Sequence, residues 1–310
     1  MTSILNQCRP DRGEIDLCPE ILYIVNIDLE QIVWIWRPFL EETVNKSMIE
    51  SLVSRQLVDK GKTLDLENQN LPVESLKALG ECEELRGVEN LFLSNNRLGD
   101  DAMQALGEAK VFSNLQQVYL NHNRIGDLGA RALAQSEAFR NVICLMLEAN
   151  HIGPEGARAL AESSHLQKLE TLFLDSNPLG PEGAEALARH SRLASLKNLH
   201  LDSTGLGDRG ARAIAESQNL AGLEKLYLCS NKIGNAGIAA IAKSPHSKSI
   251  KVLSIWRNEI RDDGGQALMK SENFGNLERL YMSLNLIERP VRKEFRNSEL
   301  SARLKTLVMD

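Results

Sequence analysis

Leu64, Leu91, Val118, Leu145, Leu172, Leu199, Leu226, Leu253, Leu280 and Leu307 stand 27 residues apart, with no insertion or deletion between them. Around most of them runs one phrase: leucine, any residue, leucine, two residues, asparagine, any residue, leucine or isoleucine. A unit this short cannot bury its own apolar face, so it must stack on its neighbours, and a strict period implies a solenoid. That step divides the chain into residues 1–60, read as an N-terminal helical cap, and residues 61–310, read as the solenoid of 27-residue units.

One unit, from Leu115 to Phe139, shows the physics. Val118 and Leu120 are two apart and point to one side of a short strand, while Tyr119 points to the other. Asn123 follows in a bend, where an amide side chain can satisfy backbone groups of its own turn and of the next repeat. Asn96, Asn123, Asn150, Asn177, Asn231, Asn258 and Asn285 would make a ladder, with Gln69 and Thr204 at the same place in two repeats. Ile125 re-enters the core, Gly126 and Asp127 open a helix, and Ala130, Leu133 and Ala134 face the strands at i, i+3, i+4 spacing. Pro154 and Pro181 begin the equivalent helix in two repeats, where the missing amide is harmless. Strands stack about 4.8 Å apart and helices about 10 Å, so the array must curve into an α/β horseshoe with a parallel concave sheet and convex helices.

These residues resemble the leucine-rich repeat family, in its ribonuclease-inhibitor-like class of strand-plus-helix units. Segments such as Gly129-Ala130-Arg131-Ala132-Leu133-Ala134, and those over 156–161 and 183–188, are similar to bacterial repeats of the GALA type. The resemblance implies a non-enzymatic module that binds a partner protein or peptide on its concave face or rims. The expected location, from the cysteine pattern and the polar first twenty residues, is the cytoplasm, or a host cell reached without a Sec signal.

Composition narrows the function classes. The net charge is −6, and no basic stripe marks the expected binding face, so nucleic acid is not expected as a partner. Five scattered cysteines without paired short spacing suit a reduced compartment. Residues 1–20 lack the apolar run of an export signal, and Asn26, Asp28, Glu30, Gln31 and Arg37 interrupt the apolar stretch 21–40, so no membrane span is expected. The six histidines fall at different repeat positions, and none pairs with an acid or cysteine at a triad or metal spacing; no cofactor, metal or catalytic residue is expected.

Function is therefore sought at outward strand positions. One column reads Asp65, Phe92, Tyr119, Met146, Phe173, His200, Tyr227, Ser254, Tyr281, Val308. From Phe92 to Tyr281 it spans about 34 Å at strand spacing, enough for a partner helix or an extended peptide. Cross-strand aromatic pairs also stabilise a sheet by about 0.2–1 kcal/mol with no partner, so binding and scaffold packing are both open readings. Two residues on, Glu148, Asp175 and Asp202 lie on consecutive strands as an acidic strip suited to lysine or arginine on a partner, and Trp256 with Arg257 offers an anchor.

At the ends, Leu22, Val25, Leu29, Ile32 and Trp36 keep helical spacing up to Pro38, and Leu40, Val44, Met48 and Leu52 continue a second helix. Residues 17–22 resemble the opening of an F-box, which implies a substrate-recruiting ubiquitin-ligase adapter as an alternative function. Regulation of a small GTPase is a further alternative, by fold analogy alone. Residues 307–310 begin a strand whose open edge could pair with a second copy.

Overall fold

The computed structural model describes residues 48–190 and 192–310. Residues 49–310 form one compact unit. Its sheet has strands in sequence order: β1 (Leu57–Val58), β2 (Thr63–Asp65), β3 (Asn90–Phe92), β4 (Gln117–Tyr119), β5 (Cys144–Met146), β6 (Thr171–Phe173), β7 (Asn198–His200), β8 (Lys225–Tyr227), β9 (Val252–Ser254), β10 (Arg279–Tyr281) and β11 (Thr306–Val308). From β2 onward every pairing is parallel and in register with the 27-residue step, as in Leu64↔Leu91 and Leu145↔Leu172. Each connection from β2 onward passes through a helix, such as Asp127–Gln135 or Pro154–Ala161. The sheet is unclosed.

The core lies between sheet and helices. Val118, Leu120, Ile125, Ala130 and Leu133 are all 0% exposed, as the periodicity requires. Burial of each large aliphatic side chain is worth about 1.5–3 kcal/mol, and only stacking makes that burial complete. Gly129 shows how tight the stack is: a Cβ there would meet Oδ1 of Asp100 at 2.6 Å and Cγ2 of Ile125 at 2.9 Å.

Inter-repeat hydrogen bonds hold the register. The Asn123 amide donates to the carbonyls of Leu93, Leu120 and Asn121 at 3.0–3.3 Å, while its oxygen accepts the Asn96 and Leu98 backbone N–H groups at 3.1 and 2.9 Å. All of these bonds but the one to Asn121 are buried, where each unpaired group would cost about 1–3 kcal/mol. Thr204 makes part of this set, donating to Leu201 O at 2.8 Å. Gln69 instead keeps its side chain at the surface and bonds Glu67 O, while its backbone N–H reaches Asn96.

A second ladder follows from the aspartates that begin the helices. Asp100 Oδ1 accepts the Gly126 and Gly129 amides of the next repeat; Asp127 does so for Gly153 and Gly156, and Asp208 for Gly234 and Gly237. Pro154 and Pro181 occupy that place and carry no acceptor. In the repeats that follow them, Gly180 and Gly207 turn to φ +61° and +58°, and their amides donate to Thr204 O and Asn231 O instead. Glycine is the residue that takes this left-handed backbone without strain. Ser136, Ser163, Ser217 and Ser244 add a third ladder, each hydroxyl donating to a helix carbonyl of the preceding repeat.

At the N-terminal edge, residues 49–56 are helical, and Ile49, Leu52 and Val53 join the core. Asp59, Lys60 and Gly61 all have positive φ, reversing the chain so that β1 pairs antiparallel with β2. Leu57–Val58 is thus a strand within the segment expected to be a helical cap. The expected helix over Leu22–Trp36, the F-box-like residues 17–22 and the apolar stretch 21–40 lie outside the described residues. At the other edge, the helix Arg289–Arg296 replaces the alanine-rich face with Val291 and Phe295, its only buried residues.

Candidate functional site

The outward residue at the end of each strand stands beside its counterpart one repeat away, because the register is unbroken from β2 to β11. Phe92 and Tyr119 stack with ring centroids 4.1 Å apart and planes 12° from parallel. Phe173, His200 and Tyr227 form a second stack, with centroids at 3.8 and 4.0 Å. Met146 occupies the strand between the two groups. The column is therefore two ring stacks joined by a flexible thioether. It dips at Ser254, 7% exposed and flanked in register by Tyr227 and Tyr281. The rings are half-buried, and Trp256 is 41% exposed at the far end.

His200 sits inside its stack. Burial, with a smaller push from Lys225, lowers its pKa to about 4, so the ring is neutral at physiological pH and stacks as an uncharged aromatic. Burial also raises the phenols of Tyr119 and Tyr227. The Tyr119 hydroxyl donates to Gln117 Oε1 at 2.8 Å, which ties that ring to its own strand.

Beside the rings, the acidic residues do more than line the surface. Asp175 Oδ1 accepts the Asp202 amide at 2.6 Å, and Asp202 Oδ1 accepts the Cys229 amide at 2.6 Å. Asn121 plays the same part for the amide of Glu148 at 2.9 Å. Asp175 and Asp202 are half-buried links between strands. Burial is the main cause that lifts Asp175 to about 7, with Asp202 and Glu148 adding repulsion; Asp202 is raised in the same sense. Cys229, one 27-residue step beyond Asp202, is buried, with its thiol 3.0 Å from Ser254 Oγ and pushed up to about 11.

A further column, two residues before each strand leucine, was not singled out from the sequence. It carries four ion pairs between adjacent repeats: Lys62–Glu89, Lys197–Glu170, Lys251–Glu224 and Lys305–Glu278, at 2.8–2.9 Å. Only Gln116 and Ile143 in this column are uncharged. The alternation is legible once the repeat is used as an alignment frame; reading strand positions alone passes over it.

Among the described residues, no group of three His, Cys, Asp or Glu side chains could hold a metal, and no helix is long and apolar enough to cross a membrane. The Leucine Rich repeat family matches residues 113–134, 140–161, 165–188, 192–215, 223–242 and 246–269. Each of these six segments takes in one strand, the turn after it and most or all of the helix that follows. No curated protein matches the chain.

Proposed function

Since the chain is a leucine-rich repeat protein, we propose that it binds a partner protein or peptide along the outward face of its strands, with no chemistry of its own. The observation that carries this reading is the stack of Phe173, His200 and Tyr227, three rings held in register at 3.8 and 4.0 Å on adjacent strands. Rings fixed in this way have already lost their rotamer freedom, so a partner that covers them gains apolar burial with little further ordering. Aromatic anchors of this kind are frequent hot spots.

The carboxylates set the partner's chemistry. Glu148, Asp175 and Asp202 lie beside Met146, Phe173 and His200, so a lysine or arginine next to an apolar residue matches both rows. An incoming cation would favour the ionised form of Asp175, which burial disfavours. Phe92 and Tyr119 extend the surface at one end; Tyr281 and Trp256 extend it at the other.

The test is affinity capture from a native lysate with immobilised wild-type chain and with a variant carrying Phe92→Ser, Tyr119→Ser, Phe173→Ser and Tyr227→Ser. Retention of fold is checked by circular dichroism and thermal unfolding. The reading requires that captured proteins fall to background in the variant while its fold persists. Equal capture by both chains would overturn it.

A further inference from the structure

The ion-pair column that precedes the strands is interrupted at one place. Four repeat steps separate Lys60 from Lys168 (108 residues, 4 × 27). Between them an open cleft of about 610 Å³ lies along the rim of the sheet, lined by Lys60, Lys62, Gln116, Asn141, Ile143 and Lys168 among others. Gln116 and Ile143, the two uncharged members of the column, both line it, as does Gly87. Elsewhere along the rim the lysines and glutamates neutralise one another across neighbouring repeats.

The charge inside the cleft is opposite to that of the whole chain. Its lining carries three lysines and one acid, Glu89, on a protein of net charge −6. Lys62 is paired with Glu89 at 2.8 Å, but Lys168 Nζ rests on the neutral Asn141 Oδ1 at 2.7 Å, and among the described residues Lys60 has no ion-pair partner. A carboxylate offered to Lys168 would replace a neutral acceptor with a charged one, and charge-assisted hydrogen bonds are the stronger kind. Ile143 is 40% exposed between these basic ends, and the Gln116 side-chain amide on the lining can pair with a peptide backbone, whereas the Asn141 amide already donates to Ser113 O at 3.0 Å.

We propose that this cleft is a second docking surface, separate from the ring stacks, for an extended acidic peptide segment of a partner protein. Four repeat steps at strand spacing cover about 19 Å, which an extended chain spans in about six residues. The segment places acidic residues at both ends, on Lys60 and Lys62 and on Lys168. Uncharged residues lie in its middle, where Glu89 would repel a carboxylate, and an apolar side chain rests on Ile143.

The experiment measures fluorescence anisotropy of a labelled peptide, Glu-Glu-Ser-Gly-Leu-Glu-Glu, with a counterpart in which every Glu is Gln. The full chain is expected to bind the acidic peptide at least tenfold more tightly than the neutral one. Lys60→Glu with Lys168→Glu should weaken it at least tenfold, and Ile143→Ser a few-fold. Lys243→Glu with Lys270→Glu makes the same change in net charge on the helices and should leave the affinity unchanged, as should Phe173→Ser with Tyr227→Ser. All the altered lysines are exposed, and thermal unfolding verifies each fold. Equal affinity for the two peptides, no effect of Lys60→Glu with Lys168→Glu, or an equal loss in the helix-lysine pair would overturn the proposal. Loss of the peptide in the ring variant would move the site to the strands and overturn it as well.

Discussion

The repeats around Asn123 and those around Thr204 follow one 27-residue template, yet they distribute their turn amides differently. At Asn123 the side-chain oxygen takes two amides of the preceding repeat, and Asp100 takes two more from the turn that follows Asn123. At residues 177–183 both acceptors are gone: Thr204 stands for the asparagine and Pro154 for the aspartate. The turn closes on itself instead, with the Leu179 amide bonded to Asn177 O at 2.8 Å and Gly180 in the left-handed region. The leucine spacing is the same in both places. What differs is how many bonds cross from one repeat to the next, and the repeats with fewer carry Phe173, Asp175, His200 and Asp202. There the carboxylates of the candidate site themselves span adjacent strands.

The largest test of this contrast removes one side chain from each region. Asn123→Ala would strip the Leu93, Leu120 and Asn121 carbonyls and the Asn96 and Leu98 amides of a partner inside the core, with an expected loss of about 3 kcal/mol in urea unfolding. Thr204→Ala loses one main donor bond, to Leu201 O, and should cost about 1 kcal/mol. Hydrogen exchange should show the Asn123→Ala damage confined to adjacent repeats, since stability in such an array is nearest-neighbour. Equal losses at the two positions would abolish the distinction.

That distinction was only half legible in the sequence. The period identifies Leu64, Val118 and every other strand leucine or its substitute, and it places Asn123 in a bend because no other residue of the phrase can both donate and accept there. It marks Thr204 as a departure. It does not reveal that Pro154 withdraws an acceptor from Gly180, because the partners lie 26 residues apart and proline at a helix start is locally favourable. Nor does spacing show that Asp175 is a link between strands rather than a free surface charge; that depends on how far its carboxylate leans toward the Asp202 amide. The rim cleft went unread for a related reason: Gln116 and Ile143 are informative only against the charged residues at the same place in other repeats.

Titration gives a smaller test and acts in the irregular region alone. The Asp175 pKa is raised from 3.8 to about 7, so the folded chain holds a proton that the unfolded chain has released. This contribution stabilises at low pH and is lost as pH rises from about 4 to 7. His200 is lowered from 6.5 to about 4, so the unfolded chain holds the extra proton, and its contribution is present above about 6.5 and lost as pH falls toward 4. The two slopes oppose each other in nearly the same window, next to Asp202, Glu148 and Lys225. Asp175→Asn keeps an oxygen for the Asp202 amide and removes the buried charge. It should gain about 1–2 kcal/mol at pH 8, after discounting for the part of the carboxylate still in water, and gain nothing near pH 4. His200→Phe keeps the stack and leaves Asp175 unopposed, so that variant should become more stable as pH falls from 6.5 to 4. Parallel pH profiles for wild type and both variants would show that neither group is linked to folding.

The smallest effect asks whether the two missing acceptors act together. Thr204→Asn offers an oxygen to the Leu179 amide, but that amide is already held by Asn177 O, so the gain should be about 0.5 kcal/mol or less. Pro154→Asp offers an oxygen to the Gly180 and Gly183 amides, in the way Asp127 serves Gly153 and Gly156. Alone it should gain nothing, because Gly180 must leave φ +61° and give up its bond to Thr204 O before the new acceptor can be reached. It also releases the restriction that proline places on the unfolded chain. With both substitutions the turn can adopt the backbone of the regular repeats, near φ −100° at the glycine, and fill both acceptors in one rearrangement. A double-mutant cycle should therefore give a favourable coupling of about 0.5–1 kcal/mol. Strict additivity would mean that the asparagine and aspartate ladders are independent, and that the left-handed Gly180 is a local preference of its own turn.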